Sequence, residues 1–381
     1  MTFLLISVIL FCLQQAESSS FPTTQGYHVT RYQLTNGQLG RVQEVLVNHQ
    51  DGLKPEDVGL VSKTVYSLLW PETSAVTNLL WSRREDLETL YRDPHLKSQD
   101  GLHRPFLEEW RQWSGVELGV QFPESYPTNG ASEAIAHLIA RQASMNQQNQ
   151  TVLHVFDGEY EGYSRYARAF NLETIVHARD LEILKHAAFR AHDTFWISNP
   201  SSIDGDFWED FELFLVYMRD IHPTVKIYVD VTYIGAVKRM QTLDFTQYPN
   251  VEAVIFSLSK PFGVYYHRVG GVFARSPIDS LYGNRWFKNI FSISLGRALM
   301  RAFPVNLIAN CYASTQERVV RELIEKGEFP PDAEPCNVIL LARSPGNPAM
   351  SDMRDYFYRG DGWSRYCLTP NLNNTINGVS R

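Results

Sequence analysis

The sequence predicts an α/β protein, a mostly parallel sheet between layers of helix followed by a smaller α+β domain. Six short apolar runs recur at residues 151–156, 174–177, 194–198, 226–231, 253–257 and 270–274, among helical patterns such as 131–143 and 207–221. Strands apolar along their whole length are covered on both faces, as in a parallel sheet sandwiched by helices. After residue 300 the texture changes to a helix over 301–326, a Pro-rich turn, a strand over 337–342, a short helix near 351–358 and a last strand over 363–368. The 381 residues are too many for one simple core.

Taken in order, residues 1–18 form an apolar N-terminal segment. Its run at 3–13 precedes Gln14-Gln15-Ala16 and has no Lys or Arg before it. It fits either a signal-peptide core or an arm that packs on the fold, and it is too short to span a bilayer. The expected location is cytoplasmic, with export as the alternative. Residues 19–75 carry turn signals at Asn36-Gly37 and Asp51-Gly52 and are assigned to the small domain. Residues 76–300 form the large domain, opening with a charged amphipathic stretch over 82–113, and residues 301–381 complete the small domain.

The net charge of −7 offers nothing to nucleic acid or an anionic membrane surface. Cys12, Cys311, Cys336 and Cys367 show no CxxC spacing, so no metal site is expected and free thiols are.

Candidate chemistry begins at Ser257-Leu258-Ser259-Lys260, with Arg268 and Gly270 following. A lysine on a small-residue turn after a buried strand is either a plain surface cation or an amine made nucleophilic by desolvation and a nearby cation. Arg268 would supply that charge and a fork for a phosphate. Thr128-Asn129-Gly130-Ala131-Ser132 opens a helix, so it is an anion cradle or a simple N-cap turn. Asp230 ends an apolar strand, a costly place for a carboxylate without a partner unless it caps a helix.

These segments together resemble the class I/II aminotransferases, the aspartate-aminotransferase-like group of fold type I pyridoxal-phosphate enzymes. The resemblance runs over about residues 85–370, with the motifs in family order. It implies a seven-stranded sheet and pyridoxal 5′-phosphate held on Lys260 as a Schiff base. Gly130, Ala131, Ser132, Ser257 and Arg268 would bind the cofactor phosphate, and Tyr160 of Asp157-Gly158-Glu159-Tyr160 would stack on its ring. Asn199, in Ser198-Asn199-Pro200 with Gly205 after it, and Tyr233 would bond its phenolic oxygen, and Asp230 its ring nitrogen. Lys260, Asp230 and Tyr233 are the implied catalytic set, and Arg365 would take the substrate carboxylate. The implied activity is ping-pong transamination between an amino acid and a 2-oxo acid by a homodimer. Elimination, decarboxylation or cyclisation on the same cofactor is the alternative.

The chain departs from the family in three places. Ile203 stands where a second Pro is usual, Tyr265-Tyr266-His267 replaces Pro-Gly before the phosphate Arg, and 16 residues follow Arg365 where the family adds a terminal helix. Tyr91 is a candidate for the tyrosine that reaches a neighbouring subunit's phosphate.

Overall fold

The computed structural model describes residues 65–92, 96–145, 151–286, 288–346, 359 and 362–378, with side chains left out over 90–100. They belong to one compact unit, Thr64–Arg381. The expectations for residues 1–18, for most of 19–75, for the helix near 351–358 and for the Tyr91 side chain lie outside the described residues.

Helices α1 (Pro71–Ser82), α2 (Arg84–Arg92) and α3 (Leu96–Ser114) lead into strand β1 (Glu124–Thr128). Then follow α4 (Ala131–Met145), β2 (Leu153–Phe156), α5 (Gly162–Ala169), β3 (Thr174–His177), α6 (Leu181–Leu184), β4 (Thr194–Ser198), α7 (Phe211–Ile221), β5 (Lys226–Asp230), β6 (Val251–Ser257), α8 (Ser259–Phe262) and β7 (Gly270–Ala274). The chain continues through α9 (Ile290–Ala302), α10 (Leu307–Cys311), α11 (Ala313–Glu325), β8 (Glu334–Pro335), β9 (Leu341–Pro345), β10 (Trp363–Cys367) and α12 (Thr369–Asn377).

Seven strands form one sheet in the order β1-β7-β6-β5-β4-β2-β3. The pairs β3–β2, β2–β4, β4–β5 and β5–β6 are parallel, while β7 runs antiparallel to both β6 and β1. The antiparallel return from β6 to β7 needs no long crossover. Its short connection carries α8 and Lys260 at the carboxyl end of β6. The second sheet is β10-β9-β8, all antiparallel.

Alternation along the strands divides the core. Leu153, Val155, Trp196, Tyr228, Ala253 and Ile255 pack with α4 and α5 residues such as Ile135, Leu138, Tyr163 and Ala167. Phe156, Phe195, Ile197, Val229, Val254 and Phe256 join the other cluster, with Trp110, Phe214 and Leu295 from α3, α7 and α9. Successive side chains on a strand point to opposite faces, so the continuous apolar runs are what a twice-covered sheet requires.

Four elements differ from the sequence expectation. The 16 residues after Arg365, read as falling short of the family's terminal helix, carry α12 (Thr369–Asn377). β1 was not among the six apolar runs, because it carries Glu124, Ser125 and Pro127. It is an edge strand, where a proline's missing N–H is tolerated. The expected helix over 301–326 is broken: α9 ends at Ala302, Phe303 is extended before Pro304, and Asn306 takes φ +64°. A proline clashes with a helical residue before it and cannot donate to the turn behind. The expected strand over 337–342 begins only at Leu341. Val338, Ile339 and Leu340 are buried in a turn, whose N–H groups bond Gly205 O (2.9 Å, from Val338) and Ala236 O (2.9 Å, from Ile339). Gln316 Nε2 donates to the carbonyls of Cys336, Val338 and Leu341 at 3.2, 3.0 and 2.8 Å. These apolar residues are buried because they plug the loops of the large sheet, not because they form a ladder.

Candidate active site

The connections that leave the carboxyl ends of β1, β2, β4, β5 and β6 bring the candidate residues to one edge of the sheet, where open α/β sheets bind ligands.

Lys260 follows β6 on α8. Burial first of all holds its amine down to about 8; the positive charges of Arg365 and Arg268 push the same way, and Asp230 opposes them. Its Nζ donates to the carbonyl of Val65. A lysine with a sizeable neutral fraction at physiological pH is an available nucleophile and base.

Asp230 ends β5 and is buried. Burial pushes its carboxyl up, against bonds from Thr232 and Tyr163 and the charge of Lys260. Thr232 N–H donates to Oδ1 at 2.9 Å and the Tyr163 hydroxyl to Oδ2 at 3.2 Å. Among the described residues Asp230 makes no ion pair. Tyr163 is fully buried, and its edge meets the Tyr160 ring at 5.5 Å and 90°. Ser132 hydrogen-bonds the Tyr160 phenol, which ties the start of α4 to the turn after β2.

Gly130 has φ +75°, a region open mainly to glycine. A Cβ there would lie 3.1 Å from Arg268 Nη2 and 3.6 Å from Ser257 Oγ, so these three residues form one cradle. Ser257 and Ser259 hydroxyls are 3.0 Å apart. Ala131 and Ser132 start the 15-residue α4, whose first N–H groups lack intrahelical partners. Guanidinium, hydroxyls and a helix N-terminus make a dianion site. Arg268 itself follows the 3₁₀ turn Tyr265–His267 and takes φ +52°.

Asn199, 1% exposed, receives Trp208 N–H on Oδ1 at 3.1 Å. Its Nδ2 is buried with no hydrogen-bond partner among the described residues. An unmade bond on a buried amide is costly, so this donor is available to an acceptor beyond the described residues. Tyr233 is buried, which first of all pushes its phenol up to about 12, while Arg365 and Arg359 act to lower it. Arg365, on β10, is buried and donates from Nη1 to Ser202 O.

Sequence reasoning missed Glu159, Tyr163, Thr232 and Arg359 as site residues. Glu159 is 7% exposed, and burial pushes its carboxyl up. It accepts from Ser198 N (2.9 Å), Ser198 Oγ (2.7 Å), Ser202 Oγ (2.8 Å) and Tyr160 N (3.3 Å). One carboxyl thus fixes the loop that bears Asn199 and the residue whose carbonyl holds Arg365. Glu159 lay inside a segment already singled out, with Tyr163 three residues after Tyr160 and Thr232 two after Asp230, so neighbouring polarity was their signal. Arg359 lay in no motif.

No protein-family model and no curated protein sequence matches the chain. Solved structures do. A PLP-bound C–S lyase from Staphylococcus hominis superimposes with a TM-score of 0.62 at 11% identity, covering 87% of this chain and 94% of the lyase. N-succinyldiaminopimelate aminotransferase from Mycobacterium tuberculosis gives 0.60 at 14% identity, covering 82% and 90%. L-threonine-O-3-phosphate decarboxylase from Porphyromonas gingivalis gives 0.56 at 15% identity, covering 82% and 97%.

Proposed function

We propose, on the premise that this chain has the fold of the fold type I pyridoxal 5′-phosphate enzymes, that it is an aminotransferase using that cofactor to move an amino group between an amino acid and a 2-oxo acid. The observation that carries the reading is a buried lysine amine, lowered to about 8, on the turn after β6, beside the strand whose end carries the buried carboxyl of Asp230.

The residues fit the cofactor's chemistry. The phosphate suits Gly130, Ala131, Ser132, Ser257 and Arg268. The partnerless Nδ2 of Asn199 and the hydroxyl of Tyr233 suit the phenolic oxygen. Asp230, with no cation paired to it among the described residues, suits the protonated ring nitrogen, and Tyr160 suits the ring face. When bound, the cofactor supplies an aldehyde and an electron-withdrawing ring.

The protein's own work is to bind, orient and move protons. Arg365 would hold the substrate α-carboxylate by a two-pronged contact, which fixes the Cα–H bond relative to Lys260. Lys260 Nζ would then take the Cα proton, because a substantial share of its amine is neutral near pH 8. Tyr163 and Thr232 would keep the Asp230 carboxylate aimed, so that the ring stays cationic.

Purified protein mixed with the cofactor is expected to show a visible absorption band. An amino donor should bleach the band and a 2-oxo acid should restore it. Lys260→Ala should lose both band and turnover; retained turnover in that variant refutes the reading.

Elimination or decarboxylation is the second reading. It is favoured by the Tyr265–His267 turn beside the phosphate arginine, a departure in the site wall, and a C–S lyase and a decarboxylase share the architecture. Consumption of the amino substrate with the band kept and no amino transfer to a 2-oxo acid would select it. We also propose a homodimer, as in the family that the sequence resembles, to be tested by light scattering. Among the described residues no helix is long and apolar enough to cross a membrane.

A further inference from the structure

The loop over 201–206 follows β4 and the Asn199-Pro200 step, and it closes on itself. Ser201 N–H donates to Asp206 O at 2.7 Å, and Gly205 N–H to Ser201 O at 3.1 Å. Within it the Ser202 carbonyl accepts from Arg365 on β10. Arg343, on β9, grips the same loop. Its Nη1 lies 3.0 Å from Asp206 Oδ2 and 3.6 Å from Asp204 Oδ2, while its Nε donates to Glu334 Oε1 on β8 at 2.8 Å. The guanidinium also covers the Trp363 ring, 4.4 Å from its centroid. The side chains of Arg343, Asp206 and Asp204 are 19%, 30% and 9% exposed, so solvent and salt screen these contacts less than surface ion pairs. Arg179 holds the loop as well, with Nη2 2.6 Å from Asp204 Oδ2 and Nη1 donating to Ser201 Oγ at 3.0 Å.

The register of the second sheet explains why two arginines reach one loop. Glu334 pairs with Arg343 and Arg343 with Arg365, so the three side chains form a row on one face. Like charges directly opposite on neighbouring strands repel. Asp206 and Glu334 offset that repulsion from the Arg343 side. Asp206 and Ser202 lie in the same closed loop, so a shift of one carries the other.

We propose that Arg343 is a positioning residue for Arg365: through Asp206 and Asp204 it fixes the loop whose Ser202 carbonyl sets the Arg365 guanidinium, and so tunes how the substrate carboxylate is held. The inference rests on the reading above, in which Arg365 takes that carboxylate. Arg343 acts through the loop, not on the substrate.

The test separates position from charge. Asp206→Asn removes a negative charge from the loop that Arg365 contacts. By charge alone that would tighten anion binding, whereas release of the loop would weaken it. In the holoenzyme, Asp206→Asn and Arg343→Gln should each raise KM for the amino donor, and the Kd of butyrate as a carboxylate probe, by about 10-fold, with kcat changed less. Arg343→Lys should keep part of the affinity, and the double variant should lose no more than Arg343→Gln alone. Tighter butyrate binding in Asp206→Asn, an unchanged KM in both single variants, or losses that add in the double variant overturn the proposal. Asp206→Asn, at the more exposed partner, carries the test if Arg343→Gln does not fold. A second readout is independent of activity. Labelling of Arg365 by phenylglyoxal, read by mass spectrometry, should quicken by about 3-fold or more in Asp206→Asn, and an unchanged rate refutes the positioning. Failure of the wild type to take up the cofactor or bind butyrate would sink the functional reading instead, and the labelling would still judge the link from Arg343 to Arg365.

Discussion

The Asp230 carboxylate and the Lys260 amine, at the ends of adjacent strands β5 and β6, each favour the other's charged form, while burial disfavours both. This coupling sets the proton inventory of the site. Removing the anion in Asp230→Asn should lower the lysine further, below about 8. The check is the pH dependence of amine-reactive labelling at Lys260 before cofactor is added, read by mass spectrometry. A wild-type midpoint near the ordinary lysine value of about 10.4 would contradict the burial.

Gly130→Ala probes the cradle. The new methyl would meet Arg268 Nη2 at 3.1 Å, and φ +75° strains any residue with a Cβ. The backbone cost is on the order of 1 kcal/mol. Displacement of the arginine should add a loss of cofactor affinity of about 10-fold or more. Equilibrium dialysis against the cofactor measures it, and unchanged affinity would remove Arg268 from the phosphate site.

Glu159→Ala tests whether one carboxyl aligns two binding groups. It strands donors from Ser198, Ser202 and Tyr160, so stability should fall by on the order of 3 kcal/mol. KM for the amino substrate should rise, because Ser202 O holds Arg365. Glu159→Gln keeps an acceptor for Ser198 N–H and should recover much of the KM. Denaturant melts and steady-state kinetics separate the two effects, and a stability loss without a KM change would limit Glu159 to the fold.

Acid should destabilise the protein through His177. Burial, then the neighbouring His154, hold its imidazole down to about 4. The unfolded chain takes up this proton at about 6.5, so between there and pH 4 it binds more protons than the folded one. The stabilisation is therefore complete above about 6.5 and is lost as pH falls toward 4. His177→Gln should flatten the slope of melting temperature against pH over that window. A slope as steep as in the wild type would assign the acid sensitivity elsewhere.

Different physics governed what was legible in the sequence. Continuous apolar runs marked β2 and β4 to β7 because a twice-covered strand has no polar face. β1 escaped because an edge strand tolerates Pro127 and polar residues. The run at 337–342 misled because burial, not strand pairing, selected its residues. Lys260, Arg268, Gly130 and Asp230 were legible as candidates because each sits near a strand end or helix start, and Asn199 only through the family resemblance.

By itself the sequence determined the sheet's strands, the order of the motifs along them and the residue types available for chemistry. The tertiary structure alone decided that the Asn199 amide keeps a donor open among the described residues and that Glu159 aligns the loop under Arg365. These are contacts between residues far apart in the chain. Their worth depends on desolvation and hydrogen-bond satisfaction, which no local pattern of residues encodes.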